Sequence, residues 1–73
     1  MSGYGKEIRE RFAQAYARKG NAKRALVEVL GKERAGKMRP HTLRARASEL
    51  LNDYRTVALI EQEKRAMRER GQP

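Results

Sequence analysis

Apolar residues recur at helical spacing in four stretches of this chain, and no stretch shows the apolar–polar alternation of a β-strand. In the first stretch, Ile8, Phe12 and Tyr16 stand four residues apart. They predict a helix over about 6–19 with one buried face. Gly20 follows, and a glycine in the left-handed conformation commonly ends a helix.

A second helix is predicted over about 21–30. Asn21 is a suitable N-cap, because its side-chain oxygen can accept a hydrogen bond from a free backbone N–H in the first turn. Gly31 ends this helix. Its apolar positions again follow helical spacing: Ala22, Ala25, Leu26, Val29 and Leu30.

Pro40 begins the third predicted helix, over about 40–52, because its fixed φ suits the first helical position. Leu43, Ala47 and Leu50 form the apolar stripe of this helix. Its opposite face carries short or polar side chains beside positive charge. A helix that is packed on one side and basic on the other has the character needed to enter a DNA major groove.

Asp53 is a suitable cap for a fourth helix over about 54–70. One face of this helix is predicted to carry Val57, Ile60, Lys64 and Met67. The apolar stripe therefore fades after Ile60, and the second half of the helix is expected to be solvated unless a partner covers it.

The remaining segments contain glycine and polar residues without periodicity. Residues 1–5 are expected to be a flexible N-terminus and residues 71–73 a frayed tail. Residues 31–39 read as a basic connection with two glycines. The sequence predicts one all-α domain over 6–70, a small three- to four-helix bundle in which the second and third helices form a helix-turn-helix.

Positive charge is concentrated in the middle of the chain. The 73 residues include 18 Lys and Arg against 9 Asp and Glu, for a net charge of +9. The segment 18–46 alone contains ten basic and two acidic residues, a net charge of +8. A local basic block on an otherwise balanced domain favours binding to a polyanion.

Other chemistries find little support in the sequence. There is no cysteine and only one histidine, which argues against a metal site. No carboxylate pair or Ser–His–Asp spacing suggests catalysis, and no apolar run is long enough for a membrane span. The segment 31–37 fits G-x-x-x-x-G-K, but Met38 replaces the Ser or Thr of a P-loop and no strand precedes it. We therefore expect neither an enzyme nor a cofactor.

The candidate DNA-binding residues fall into two groups. Arg44 is the expected main base reader, because Arg pairs with the O6 and N7 atoms of guanine. Arg46 lies nearer the apolar stripe and can reach a phosphate or pair with a glutamate of another helix. Each residue could also be an ordinary solvated side chain. The base-facing candidates are His41, Thr42, Arg44 and Ser48, and the phosphate candidates are Lys23, Arg24, Lys37, Arg39 and Arg46.

Three consecutive motifs resemble a known family. Residues 11–16 read RFAQAY, residues 20–25 read GNAKRA, and residues 42–52 read TLRARASELLN. In this order and spacing they resemble the N-terminal DNA-binding domain of bacteriophage terminase small subunits, across about residues 8–60. The chain departs from that family at 32–39, where relatives have a shorter turn, and at Asp53, where relatives often have proline.

The resemblance implies a role in viral genome packaging, in the bacterial host cytoplasm during infection. Small terminase subunits recognise the packaging-start site on double-stranded viral DNA and recruit a large subunit that carries the ATPase and nuclease. They assemble as homo-oligomers. Family members use further regions for both protein contacts, so this chain by itself is expected to be a monomer that binds DNA.

Three other functions remain open on the sequence. A phage transcriptional regulator with a helix-turn-helix would show the same charge and helices. An RNA-binding helical protein is a weaker alternative, since few exposed aromatic residues are available for base stacking. The last helix could also serve as a protein-interaction surface through the face that carries Met67.

Overall fold

The computed structural model describes residues 5–71, which form five helices and no strand. The all-α prediction is confirmed. In chain order the helices are α1 (Lys6–Lys19), α2 (Ala22–Leu30), α3 (Lys32–Gly36), α4 (Pro40–Asn52) and α5 (Tyr54–Glu69).

The count of three to four helices is too low, because the predicted connection 31–39 contains α3. This helix occupies five residues, too few to show a periodic pattern. Ala35 is buried against the core, and its backbone N–H donates to the carbonyl of Gly31 at 2.9 Å. The burial of Ala35, together with the absence of a helix-breaking residue between 32 and 35, stabilises this single short helix.

Local capping interactions fix the ends of the longer helices. Gly20 adopts the left-handed conformation with φ of 67°, and its N–H donates to Tyr16 at 2.7 Å. The Asn21 side chain accepts from the backbone N–H of Arg24 at 3.0 Å. Asp53 caps α5 in the same way, by accepting from the N–H of Arg55 at 2.9 Å. These caps agree with the roles that the sequence predicts for Gly20, Asn21 and Asp53.

The core lies where α1 meets α2 and α5, and where α2 meets α4. Its largest fully buried side chains are Phe12, Leu26, Leu50 and Thr56. The Phe12 and Tyr16 rings stack with centroids 6.0 Å apart. Since α4 also contacts α5, two helices fix the orientation of α4 and therefore of its outer face.

The predicted apolar stripe of α5 is wrong at Val57 and Lys64 and correct at Ile60 and Met67. Thr56 is fully buried, whereas Val57 is 42% exposed. Ile60 is buried as expected, Met67 is half-buried and Lys64 is exposed. The second half of α5 is nevertheless not isolated, because the Lys64 ammonium lies 5.9 Å from the centre of the Tyr16 ring on α1.

The two ends of the chain fall mostly outside the described residues. Of the N-terminus expected to be flexible, 1–5, only Gly5 is described, and of the expected tail, 71–73, only Gly71. Within 5–71, no helix combines the length and apolar character required to cross a membrane.

Candidate nucleic-acid interface

The outer face of α4 presents small and polar side chains. His41, Ala45 and Ser48 are all exposed, and helical spacing places them opposite the buried stripe that includes Leu43 and Ala47. The short side chains would let another surface approach the helix backbone closely. This face is therefore narrow, polar and held in place by the packing behind it.

The remaining α4 candidates differ in accessibility. Arg44 is exposed and stands beside Ser48 at the edge of the outer face. Thr42 is half-buried on the opposite edge. Arg46 is exposed, but its Nη1 lies 2.9 Å from Oε1 of Glu49, one turn along the same helix. Arg44 is thus the α4 arginine with both an exposed position and no ion pair within residues 5–71.

The first turn of α2 brings two candidate cations next to a helix N-terminus. Arg24 is exposed and Lys23 half-buried. The Asn21 cap occupies the N–H of Arg24, so the remaining attraction for an anion comes from the side-chain charges and the helix dipole.

An open groove runs from this turn towards α3. The last turn of α1 and the first residue of α3 also contribute to it. Four of its lining residues are basic and one is acidic. The lining comprises Lys19, Asn21, Lys23, Arg24, Val27, Glu28, Gly31 and Lys32.

Between α2 and α4 the chain carries four exposed cations, of which Lys32 also lines the groove. Lys32 and Arg34 belong to α3, and Lys37 and Arg39 lie between α3 and the start of α4. The sequence-based candidates include only the last two. The sequence places Lys32 and Arg34 in the same basic connection, but without a periodic pattern it gives their side chains no defined direction.

Most of the basic residues in 18–46 have no acidic partner. Arg18 and Lys19 pair with Glu28, and Arg46 with Glu49. The other seven form no ion pair within the described part of the chain, and we refer to them as the α2–α4 basic surface. They are Lys23, Arg24, Lys32, Arg34, Lys37, Arg39 and Arg44.

Glu28 is the one acidic residue that lines the groove. Its Oε2 lies 2.5 Å from Nη2 of Arg18, and its Oε1 lies 3.3 Å from Nζ of Lys19. The hydrogen bond from Arg18 is the main cause that lowers the pKa of the Glu28 carboxyl, and Lys19 adds to it. The carboxylate is therefore ionised at neutral pH and neutralises part of the charge at the end of α1.

No metal centre can be assembled from the residues described. Within 5–71, no three His, Cys, Asp or Glu side chains come together in a way that could hold an ion. The G-x-x-x-x-G-K segment forms Gly31, the helix α3 and Lys37, rather than a loop after a strand. What the arrangement offers is a set of unpaired cations and the exposed outer face of α4.

Comparison of this chain with models of known protein families, with curated protein sequences and with solved structures gives no significant match. The resemblance to small terminase subunits therefore depends on the three short motifs.

Proposed function

We propose that this chain is a double-stranded DNA-binding domain of a phage terminase small subunit, which recognises the packaging-start site on viral DNA. In this proposal α2 and α4 act as a helix-turn-helix, with α4 in the major groove and α3 as an insertion between them. One observation carries the DNA-binding part: seven cations on α2, α3, α4 and the segment before α4 form no ion pair with an acidic side chain within residues 5–71.

The proposal divides the residues by task. Lys23, Arg24 and the cations of 32–39 would contact phosphates, which position the protein but carry little sequence information. His41, Thr42, Arg44 and Ser48 would face base edges, with Arg44 as the principal reader. Arg46 would contribute less, since it already pairs with Glu49.

The contrast between Arg44 and Lys23 tests this division. Selection from a random pool of duplexes first identifies the sequence that the wild-type protein prefers. Fluorescence anisotropy then measures binding to that duplex and to a scrambled duplex. Arg44→Ala should cost about 1–3 kcal/mol on the selected duplex and relax its preference. Lys23→Ala should weaken both duplexes similarly and lower the slope of log K against log salt by about 1.

Arg65→Ala is the matched control. Arg65 is exposed on α5 and forms no ion pair within residues 5–71, so its loss changes the net charge by the same amount away from the proposed interface. Equal losses for Arg44→Ala and Arg65→Ala would show that only the overall field matters. Preference for a matched RNA duplex or single strand would favour the RNA-binding alternative.

The packaging role needs a separate test, because a transcriptional regulator would share the DNA-binding face. The three motifs that resemble small terminase subunits support packaging. Fragments that tile the genome encoding the chain should bind most tightly where packaging starts. The tightest binding at a promoter would instead favour a regulator. A single domain offers a small interface, so tight selection of a site would require several linked copies.

A further inference from the structure

The position of Glu28 suggests that it limits where a phosphate backbone can lie. It stands on the outer face of α2, four residues after Arg24, and lines the same groove as Lys23 and Lys32. Its carboxylate contacts Arg18 and Lys19, which come from the last turn of α1. A carboxylate inside a basic groove repels phosphate, and it also occupies the two cations that would otherwise extend the groove.

We propose that Glu28 sets the edge of the phosphate-binding surface by holding Arg18 and Lys19 in ion pairs. This inference rests on the proposed DNA-binding function and concerns how that function is confined. With Glu28 in place, phosphate contacts are restricted to the α2–α4 basic surface next to α4. Without it, the last turn of α1 becomes a second place for the DNA backbone.

Counterion release makes this proposal measurable. Each additional phosphate that the protein neutralises steepens the slope of log K against log salt by about 0.9 on duplex DNA. Glu28→Gln frees one or two cations. The slope should therefore steepen by about 1–2, so that a fourfold rise in salt weakens this variant about 3- to 12-fold more than the wild type.

Glu33→Gln is the matched control for charge. Besides Glu28, Glu33 is the other acidic residue of the segment 18–46. It lies exposed on α3 and forms no ion pair within the described residues. Both variants raise the net charge by one. Only Glu28→Gln releases paired cations, so Glu33→Gln should leave the slope close to that of the wild type.

A double variant separates the release of cations from a change in structure. Arg18→Gln alone should barely change the slope, because this arginine is already paired. Added to Glu28→Gln, it should remove about one unit of the newly gained slope. If Glu28 only fastened α1 to α2, Glu28→Gln would weaken binding with an unchanged slope, and circular dichroism would show a lower melting temperature.

The outcomes keep this inference apart from the proposed function. The full chain is titrated with a duplex of about 20 base pairs at several salt concentrations. A wild type without salt-dependent duplex binding would contradict the proposed function itself. A wild type that binds, with equal slopes for Glu28→Gln and Glu33→Gln, would overturn the role of Glu28 and leave DNA binding intact.

Discussion

The side of the bundle formed by α1 and α5 and the side formed by α2–α4 use charge differently. On the first side several of the described cations have a partner on the same side. These partners are Glu7 for Arg11, Asp53 for Arg55, Glu63 for Arg70 and the Tyr16 ring for Lys64. Hydrogen bonds from Arg55 lower the pKa of the Asp53 carboxyl, which keeps this cap ionised at neutral pH.

On the second side seven cations stand without such partners, on short elements joined by glycine and proline. Exposed ion pairs contribute little to stability, typically 0–1 kcal/mol. The pairing on the α1–α5 side therefore does not explain why the domain folds. Its consequence is that part of the positive charge on this side is neutralised locally, whereas the seven cations of the α2–α4 basic surface have no acidic partner within residues 5–71.

The largest expected effect comes from the core that both sides share. Phe12 is fully buried and stacks on Tyr16. Phe12→Ala should cost about 3–5 kcal/mol, which is comparable to the whole stability of a domain this small. Circular dichroism should show a largely unfolded chain at 25 °C, and DNA binding should be lost with it.

Arg11→Ala is the neighbouring control, since it removes an exposed side chain from the same helix and should leave the fold intact. If Phe12→Ala lowered the free energy of unfolding by less than about 1 kcal/mol, Phe12 would not be part of the core that both sides share. Deleting a fully buried ring costs more than that.

A smaller effect is expected at Gly31, which belongs to the α2–α4 side. Its φ of 90° and ψ of 152° lie in a region that residues with a Cβ avoid, at a cost of about 1–3 kcal/mol. Gly31→Ala should lower the free energy of unfolding by that amount in urea titrations. The strain comes from the backbone, because a Cβ at this position would contact nothing within 4 Å.

Gly36→Ala provides the comparison for this strain. Gly36 lies in α3 without a positive φ and also has open space around a Cβ. Its replacement should be neutral or stabilising by up to about 1 kcal/mol. Equal effects of the two substitutions would show that the junction between α2 and α3 tolerates a side chain, and that the glycine there is not required.

The sequence predicts those features of the fold that depend on near neighbours. Caps at Asn21 and Asp53 act over two or three residues, so their identity is sufficient to place them. The α3 helix is not predicted, because five residues are too few to show a helical spacing of apolar positions. The ion pair between Arg18 and Glu28 is not predicted either, because the two residues are ten positions apart and lie on different helices.

The candidate interface divides in the same way. The outer face of α4 follows from helical spacing, and its exposure agrees with that spacing. Which cations have an acidic partner on another helix depends on tertiary packing, as the pair of Arg18 with Glu28 shows. Arg46 is expected from its position to reach a phosphate or a glutamate of another helix, but its partner is Glu49, three residues along the same helix.

The smallest expected effect is on the α1–α5 side, at the buried Thr56. Its Oγ1 is fully buried and has no hydrogen-bond partner within residues 5–71. Thr56→Val keeps the β-branched shape and removes the unsatisfied hydroxyl, which should raise the free energy of unfolding by about 1 kcal/mol. For a domain of this size, the melting temperature should rise by about 4–8 °C.

Val57→Thr is the matched control, because Val57 is the exposed neighbour and the same exchange is made in reverse. Val57→Thr should change the free energy of unfolding by no more than about 0.5 kcal/mol. DNA affinity should be unchanged in both variants, since neither residue belongs to the α2–α4 basic surface. If Thr56→Val lowered the free energy of unfolding instead, the Thr56 hydroxyl would have a stabilising hydrogen-bond partner. The α1–α5 side would then contain no unsatisfied hydroxyl at this position.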